Sequence, residues 1–99
     1  MGNDQHGLAN RGIPKLELLL RQAQTLCPME KGEMFWEYLE NREWGLAWDE
    51  LFEAAEKRHV VRDFWLMLAD AARRMGMADK QASANQAAAE TAPLASAIA

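Results

Sequence analysis

Two places in this chain carry residue types at a spacing that could do chemistry. Glu56-Lys57-Arg58-His59 has Glu-x-x-His spacing, which on a helix puts a carboxylate and an imidazole on one face. Di-iron helical bundles use two such pairs together with two further carboxylates. Here there is a single pair, and the other histidine, His6, lies in a polar, glycine-bearing stretch. The pair reads as a solvated surface pair, and neither metal nor cofactor is expected. Cys27 is the lone cysteine, so no internal disulfide can form, and no His or second Cys lies near it in the sequence to activate it. No phosphate-binding loop and no Ser/His/Asp pattern stands out. No catalytic residue is expected, and the chain is not read as an enzyme.

A more informative feature is acidic. From Glu30 to Glu56 there are nine acidic residues against two basic ones, so this segment carries −7 while the rest of the chain carries +3. Such a segment forgoes the i,i+4 ion pairs that support a plain surface helix. Like charges gathered in one region cost stability, but they speed and select the approach of a basic partner. A solvated face and a protein interface are both compatible with the charge run. If it is an interface, the partner-binding residues are Glu33, Glu37, Glu40, Asp49, Glu50 and Glu53, with Trp36 or Tyr38 adding an apolar anchor.

The elements that must position these residues follow from periodicity. Trp44, Ala47, Trp48, Leu51, Phe52 and Ala55 fall at i, i+3, i+4, i+7, i+8 and i+11, one apolar stripe of a helix that ends near Lys57. Asp49, Glu50, Glu53 and Glu56 fall off that stripe. Gly45 in the first turn means either that the helix starts after it or that close packing needs the missing side chain. Asn41 or Glu43 is suited to the helix start. Upstream, Pro14 suits a first turn, Leu16, Leu19, Leu20, Ala23 and Leu26 form a stripe, and Pro28 ends that helix. A second helix is expected to start between Pro28 and Gly32 and to end near Asn41. Its Met34, Phe35, Trp36, Tyr38 and Leu39 imply either burial on two sides or an aromatic shown to solvent.

No Gly or Pro separates the third helix from the next stripe, Val61, Phe64, Trp65, Leu68, Ala71, Ala72 and Met75. Trp48 and Trp65 are seventeen residues apart, which puts the two stripes roughly 100° out of phase on a single straight helix. A break near Arg58-His59-Val60 lets both face one core. Gly76 is the expected stop of the fourth helix, with Arg73 and Arg74 favourable in its last turn. The reading is an all-α, four-helix bundle-like domain over residues 13–78, a flexible arm at 1–12, and an Ala-rich tail or short extra helix at 79–99. Trp44, Trp48, Leu51, Phe52, Phe64, Trp65 and Leu68 are assigned to its core.

Ninety-nine residues, half of them apolar, suit one globular domain. The net charge of −4 disfavours general nucleic-acid binding, which needs basic patches. No apolar run approaches a membrane span, and the first residues lack a signal peptide's apolar core. A cytoplasmic protein is the expectation.

The stretch Asn41-Arg42-Glu43-Trp44-Gly45-Leu46-Ala47-Trp48-Asp49-Glu50-Leu51 resembles a pattern in small bacterial immunity proteins, notably the MafI-like group. The resemblance covers about residues 33–76, and the Ala-rich tail has no counterpart in it. It implies a small α-helical inhibitor that binds a cognate toxin domain of a polymorphic toxin system. Many such toxins are nucleases with basic clefts. Two other classes fit parts of the sequence. A helical adaptor or regulatory subunit uses the same acidic face on a different protein. A helix-turn-helix regulator places Arg58, Arg62, Arg73 and Arg74 on phosphates, against which the acidic segment argues. Homo-oligomerisation is not indicated.

Overall fold

The computed structural model describes residues 12–91, which form five α-helices and no strand. These are α1 (Gly12–Leu26), α2 (Met34–Glu40), α3 (Trp44–Glu56), α4 (Arg62–Arg74) and α5 (Ala78–Glu90). The all-α reading holds. Most of the expected arm at 1–12 and the end of the tail at 92–99 lie outside the described residues.

Helix α1 stops at Leu26, just before the Cys27-Pro28 dipeptide that disfavours helical geometry. Helix α2 begins at Met34, later than the expected start between Pro28 and Gly32. A tight turn takes those residues instead. The Glu33 N–H donates to the Glu30 carbonyl at 3.0 Å, and the Glu30 N–H donates to Glu33 Oε2 at 2.7 Å. The carboxylate of the N-cap residue therefore closes the preceding turn and does not cap α2.

Two helices end in the same way with different residues. After α4, the Gly76 N–H bonds the Arg73 carbonyl (3.0 Å) and the Met77 N–H bonds the Ala72 carbonyl (2.9 Å), with Gly76 at φ 73°. After α2, the Arg42 N–H bonds the Leu39 carbonyl (3.1 Å) and the Glu43 N–H bonds the Tyr38 carbonyl (2.8 Å), with Arg42 at φ 60°. Both are the paired closing bonds of a helix terminus that needs one left-handed residue. Gly76 meets that need without a steric penalty, whereas a Cβ at Arg42 is strained.

The break between the two aromatic stripes occurs where the phase difference requires it. Helix α3 ends at Glu56 and α4 begins at Arg62, with Val61 extended as its N-cap. Phe64, Trp65, Leu68, Ala47, Trp48 and Leu51 are then buried together, with Trp44 and Phe52 half-buried against them. Trp48 stacks on Phe52 at 5.1 Å, Phe52 meets Trp65 edge-on at 5.2 Å, and Trp65 meets Phe64 in the same manner at 5.2 Å. The Trp48 indole N–H donates to the Leu68 carbonyl of α4 at 2.7 Å. Helix α1 packs on α4 and α3, and α2 packs on α3. Gly45 lies inside α3, and a Cβ there would meet the Met77 side chain at 3.1 Å, so close packing accounts for the glycine.

The tail differs most from expectation. Residues 78–90 form a full fifth helix, and its contact with α4 is the most extensive of any helix pair. Ala84 and Ala88 are buried without large neighbours on their own helix, and α4 presents buried Ala69, Ala71 and Ala72. Small side chains let helix axes approach closely, and the gain is dispersion over a long contact more than burial of bulky groups. A large-residue stripe, the usual sequence signal, is absent from such a helix.

Two stability outcomes are expected. Arg42→Gly relieves the left-handed strain and should raise stability by about 0.5–1 kcal/mol, net of the entropy that glycine adds to the unfolded chain; urea unfolding checks the sign. Trp48→Ala should cost about 3–5 kcal/mol. Trp48→Phe, which keeps an aromatic ring but loses the N–H, should cost about 1–2 kcal/mol.

Candidate protein-interaction face

Helices α2 and α3 form a hairpin joined by Asn41, Arg42 and Glu43, and this hairpin carries most of the acidic segment. Burial of Phe35 and Leu39 turns one side of α2 inward. Glu33, Glu37 and Glu40, at i, i+4 and i+7, therefore share the opposite side. Glu37 and Glu40 are exposed, while Glu33 is half-buried and engaged with the Glu30 N–H. On α3, burial of Ala47, Trp48, Leu51 and Ala55 leaves Glu53 exposed and Glu50 half-buried on the outer side.

Asp49 is set apart from this group. It lies on the flank of α3 nearer α5, where Lys80 forms an ion pair with it. The Lys80 ammonium also lies 5.2 Å from the centroid of the Trp48 ring. Asp49 thus ties α5 to α3, and Lys80 is a partner that periodicity in the acidic segment could not reveal.

The two aromatic candidates are both half-buried against the core. The Trp36 indole N–H donates to the Met29 carbonyl at 3.1 Å, and its ring meets Phe35 edge-on at 4.9 Å with the Arg21 guanidinium 5.9 Å from its centroid. Trp36 therefore secures the loop between α1 and α2, and Tyr38 packs at the edge of the same cluster. Burial against neighbours, the first of the two readings of this helix, describes most of their surface. Leu46, by contrast, is 45% exposed. It was not singled out in the sequence, although the periodicity that places Trp44, Ala47 and Trp48 inward places residue 46 outward.

Charge pairing differs between the hairpin and the rest. Glu17 pairs with Arg21 at 2.8 Å, and Asp70 pairs with Arg73 at 2.6 Å and with Arg74 at 3.2 Å. Hydrogen bonding from Arg73, followed by that from Arg74, holds the Asp70 carboxyl below its usual range even against partial burial. Among the described residues, Glu33, Glu37, Glu40, Glu43, Glu50, Glu53 and Glu56 have no ion-pair partner. Their carboxylates form a field of one sign over consecutive helices.

Glu56 and His59 border a separate feature, an open groove of about 790 Å³ between the end of α3 and α5, with Phe52 and Trp65 among its lining residues. Because α3 ends at Glu56, the Glu-x-x-His pair does not share a helix face. Among the described residues no three His, Cys, Asp or Glu side chains are grouped so as to hold a metal ion. Arg58, on the same loop, reaches across the molecule and donates to the Pro28 carbonyl at 2.6 Å, with Cys27 Sγ at 3.8 Å. Burial pushes the Cys27 thiol up, and the Arg58 charge beside it only partly offsets that effect.

No family model, curated protein or solved structure matches this chain.

The buried thiol gives a direct check of this packing. Fewer thiolates at a given pH and negligible access both slow attack on a disulfide reagent. Cys27 in the folded protein should react with such a reagent at pH 8 at least about 100-fold more slowly than in urea, with Arg58→Ala increasing the folded-state rate.

Proposed function

We propose that this chain is a protein-binding inhibitor of the immunity type, which neutralises a cognate toxin domain through the outward carboxylates of α2 and α3. The observation that carries this reading is the unpaired acidic field on the hairpin, set against the paired acids at Glu17, Asp49 and Asp70. A surface that only needed to stay in solution could carry interleaved charges and gain from their pairing. A surface that must meet a basic protein gains from leaving its carboxylates free. The resemblance around residues 41–51 supplies the biological role, and the electrostatics supply the mechanism.

In this mechanism Glu37, Glu40, Glu50 and Glu53 face Lys and Arg beside a toxin's cleft. If the toxin is a nuclease, that cleft is basic because its substrate is a phosphate polymer. The acidic hairpin occupies or screens the cleft and denies it to the substrate. Asp49 contributes through the fold, by holding Lys80 and α5 in place.

Co-expression tests this directly. The C-terminal domain of the protein encoded immediately upstream should kill its host, and this chain should restore growth. Failure of the folded chain to protect would remove the immunity reading. Reversing Glu50 and Glu53 together to Lys should leave the circular dichroism unchanged. It should slow association with that domain about tenfold at low ionic strength, with the difference shrinking as salt is raised.

A further inference from the structure

Leu46 has an unusual setting among the exposed apolar residues. Leu18, Leu26, Met34, Leu46, Leu66 and Met77 are all substantially exposed. Single exposed apolar side chains are ordinary on protein surfaces. What differs is the charge around them. Leu18 is adjacent in sequence to Glu17, which is neutralised by Arg21. Leu66 has Asp70 at i+4, which is neutralised by Arg73 and Arg74. Leu46 has Glu43 at i−3, Glu50 at i+4 and Glu53 at i+7, all along one side of α3 and none ion-paired among the described residues.

We propose that Leu46 is the apolar anchor of the partner interface, and that it inserts into an apolar recess ringed by Lys and Arg on a basic protein. The proposal rests on the reading of the acidic hairpin as a protein-binding face, and it specifies the partner's surface. Interface energy concentrates where an apolar side chain is fully desolvated inside a polar rim. Leu46 supplies the centre, and Glu43, Glu50 and Glu53 supply the rim. The charges match only a cationic surround, since an acidic or neutral one would leave three carboxylates facing repulsion or desolvation without compensation. The two parts act on different steps. Rim charges steer the encounter, whereas the desolvated centre holds the complex once formed.

The test is the kinetics of binding between the full chain and the C-terminal domain encoded immediately upstream, immobilised as an inactive variant. The variants are Leu46→Ser, Leu46→Met and the Glu50→Lys/Glu53→Lys pair. Leu46→Ser should speed dissociation by about tenfold or more while association stays within about twofold, and Leu46→Met should restore nearly the wild-type rate. The charge-reversed pair should show the opposite division. Leu46→Ser dissociating at the wild-type rate overturns the anchor but leaves the protein-binding reading in place. A fall in the Leu46→Ser unfolding midpoint to that of a core variant assigns Leu46 to packing and also overturns it. Failure of the wild-type chain to bind that domain overturns both.

Discussion

The arrangement of the molecule depends on one hydrogen bond, from the Trp48 indole N–H to the Leu68 carbonyl at 2.7 Å. Trp48 is 3% exposed, so its N–H must find an acceptor inside the protein. A carbonyl in the middle of a helix already accepts an intrahelical bond but keeps a second lone pair. Using that lone pair fixes both the rotation of α3 and its position along α4. Phe52, Trp65 and Phe64 continue the contact as a chain of aromatic rings. Lys80 stands over the Trp48 ring and pairs with the adjacent Asp49, which brings α5 to the same point. With Trp48 held inward, Leu46, Glu50 and Glu53 have to face outward. The proposed binding surface is thus set by a buried contact on the other side of the same helix.

A second constraint joins the two loops at the opposite ends of neighbouring helices. Arg58 follows α3 and donates to the Pro28 carbonyl beyond α1, while Trp36 of α2 donates to the Met29 carbonyl next to it. Two consecutive carbonyls that no regular helix satisfies are bonded by side chains from other elements. The pairing explains why an arginine lies against a buried cysteine. The guanidinium is there for the backbone, and Cys27 remains a small apolar residue with its thiol shifted upward by burial. It also orients α2, and with it the outward side bearing Glu37 and Glu40.

The distribution of ion pairs follows the same division between holding and presenting. Arg73 and Arg74 serve Asp70 in the last turn of α4, where cations also suit the helix C-terminus. Exposed pairs of this kind add little stability, but they leave no uncompensated field. The hairpin does the reverse, and its carboxylates repel one another without a cation to offset them. Arg42 adds strain at φ 60° where glycine would fit. Strain and repulsion therefore occur together on the element to which the partner-binding role is assigned, as expected where function and stability compete.

Sequence alone determined the helical class, four of the five helices, the break before α4 and the stop at Gly76. These follow from a 3.6-residue period and from backbone preferences, which act locally. It also made plain that the acidic residues cluster between Glu30 and Glu56, and that Trp48, Leu51, Phe64 and Leu68 belong inside. Tertiary structure decided the rest. Helix α5 was legible only as an Ala-rich stretch, because its hold on α4 comes from close approach of small side chains and lacks a large-residue stripe. Asp49 looked like its acidic neighbours until Lys80, thirty-one residues away, claimed it. Trp36 and Tyr38 could be core or surface because their helix has apolar residues on nearly every side. Leu46 could have been placed outside by period alone. Its setting among unpaired carboxylates required knowing which charges find partners, and that depends on contacts between helices, which residue spacing along one helix does not encode.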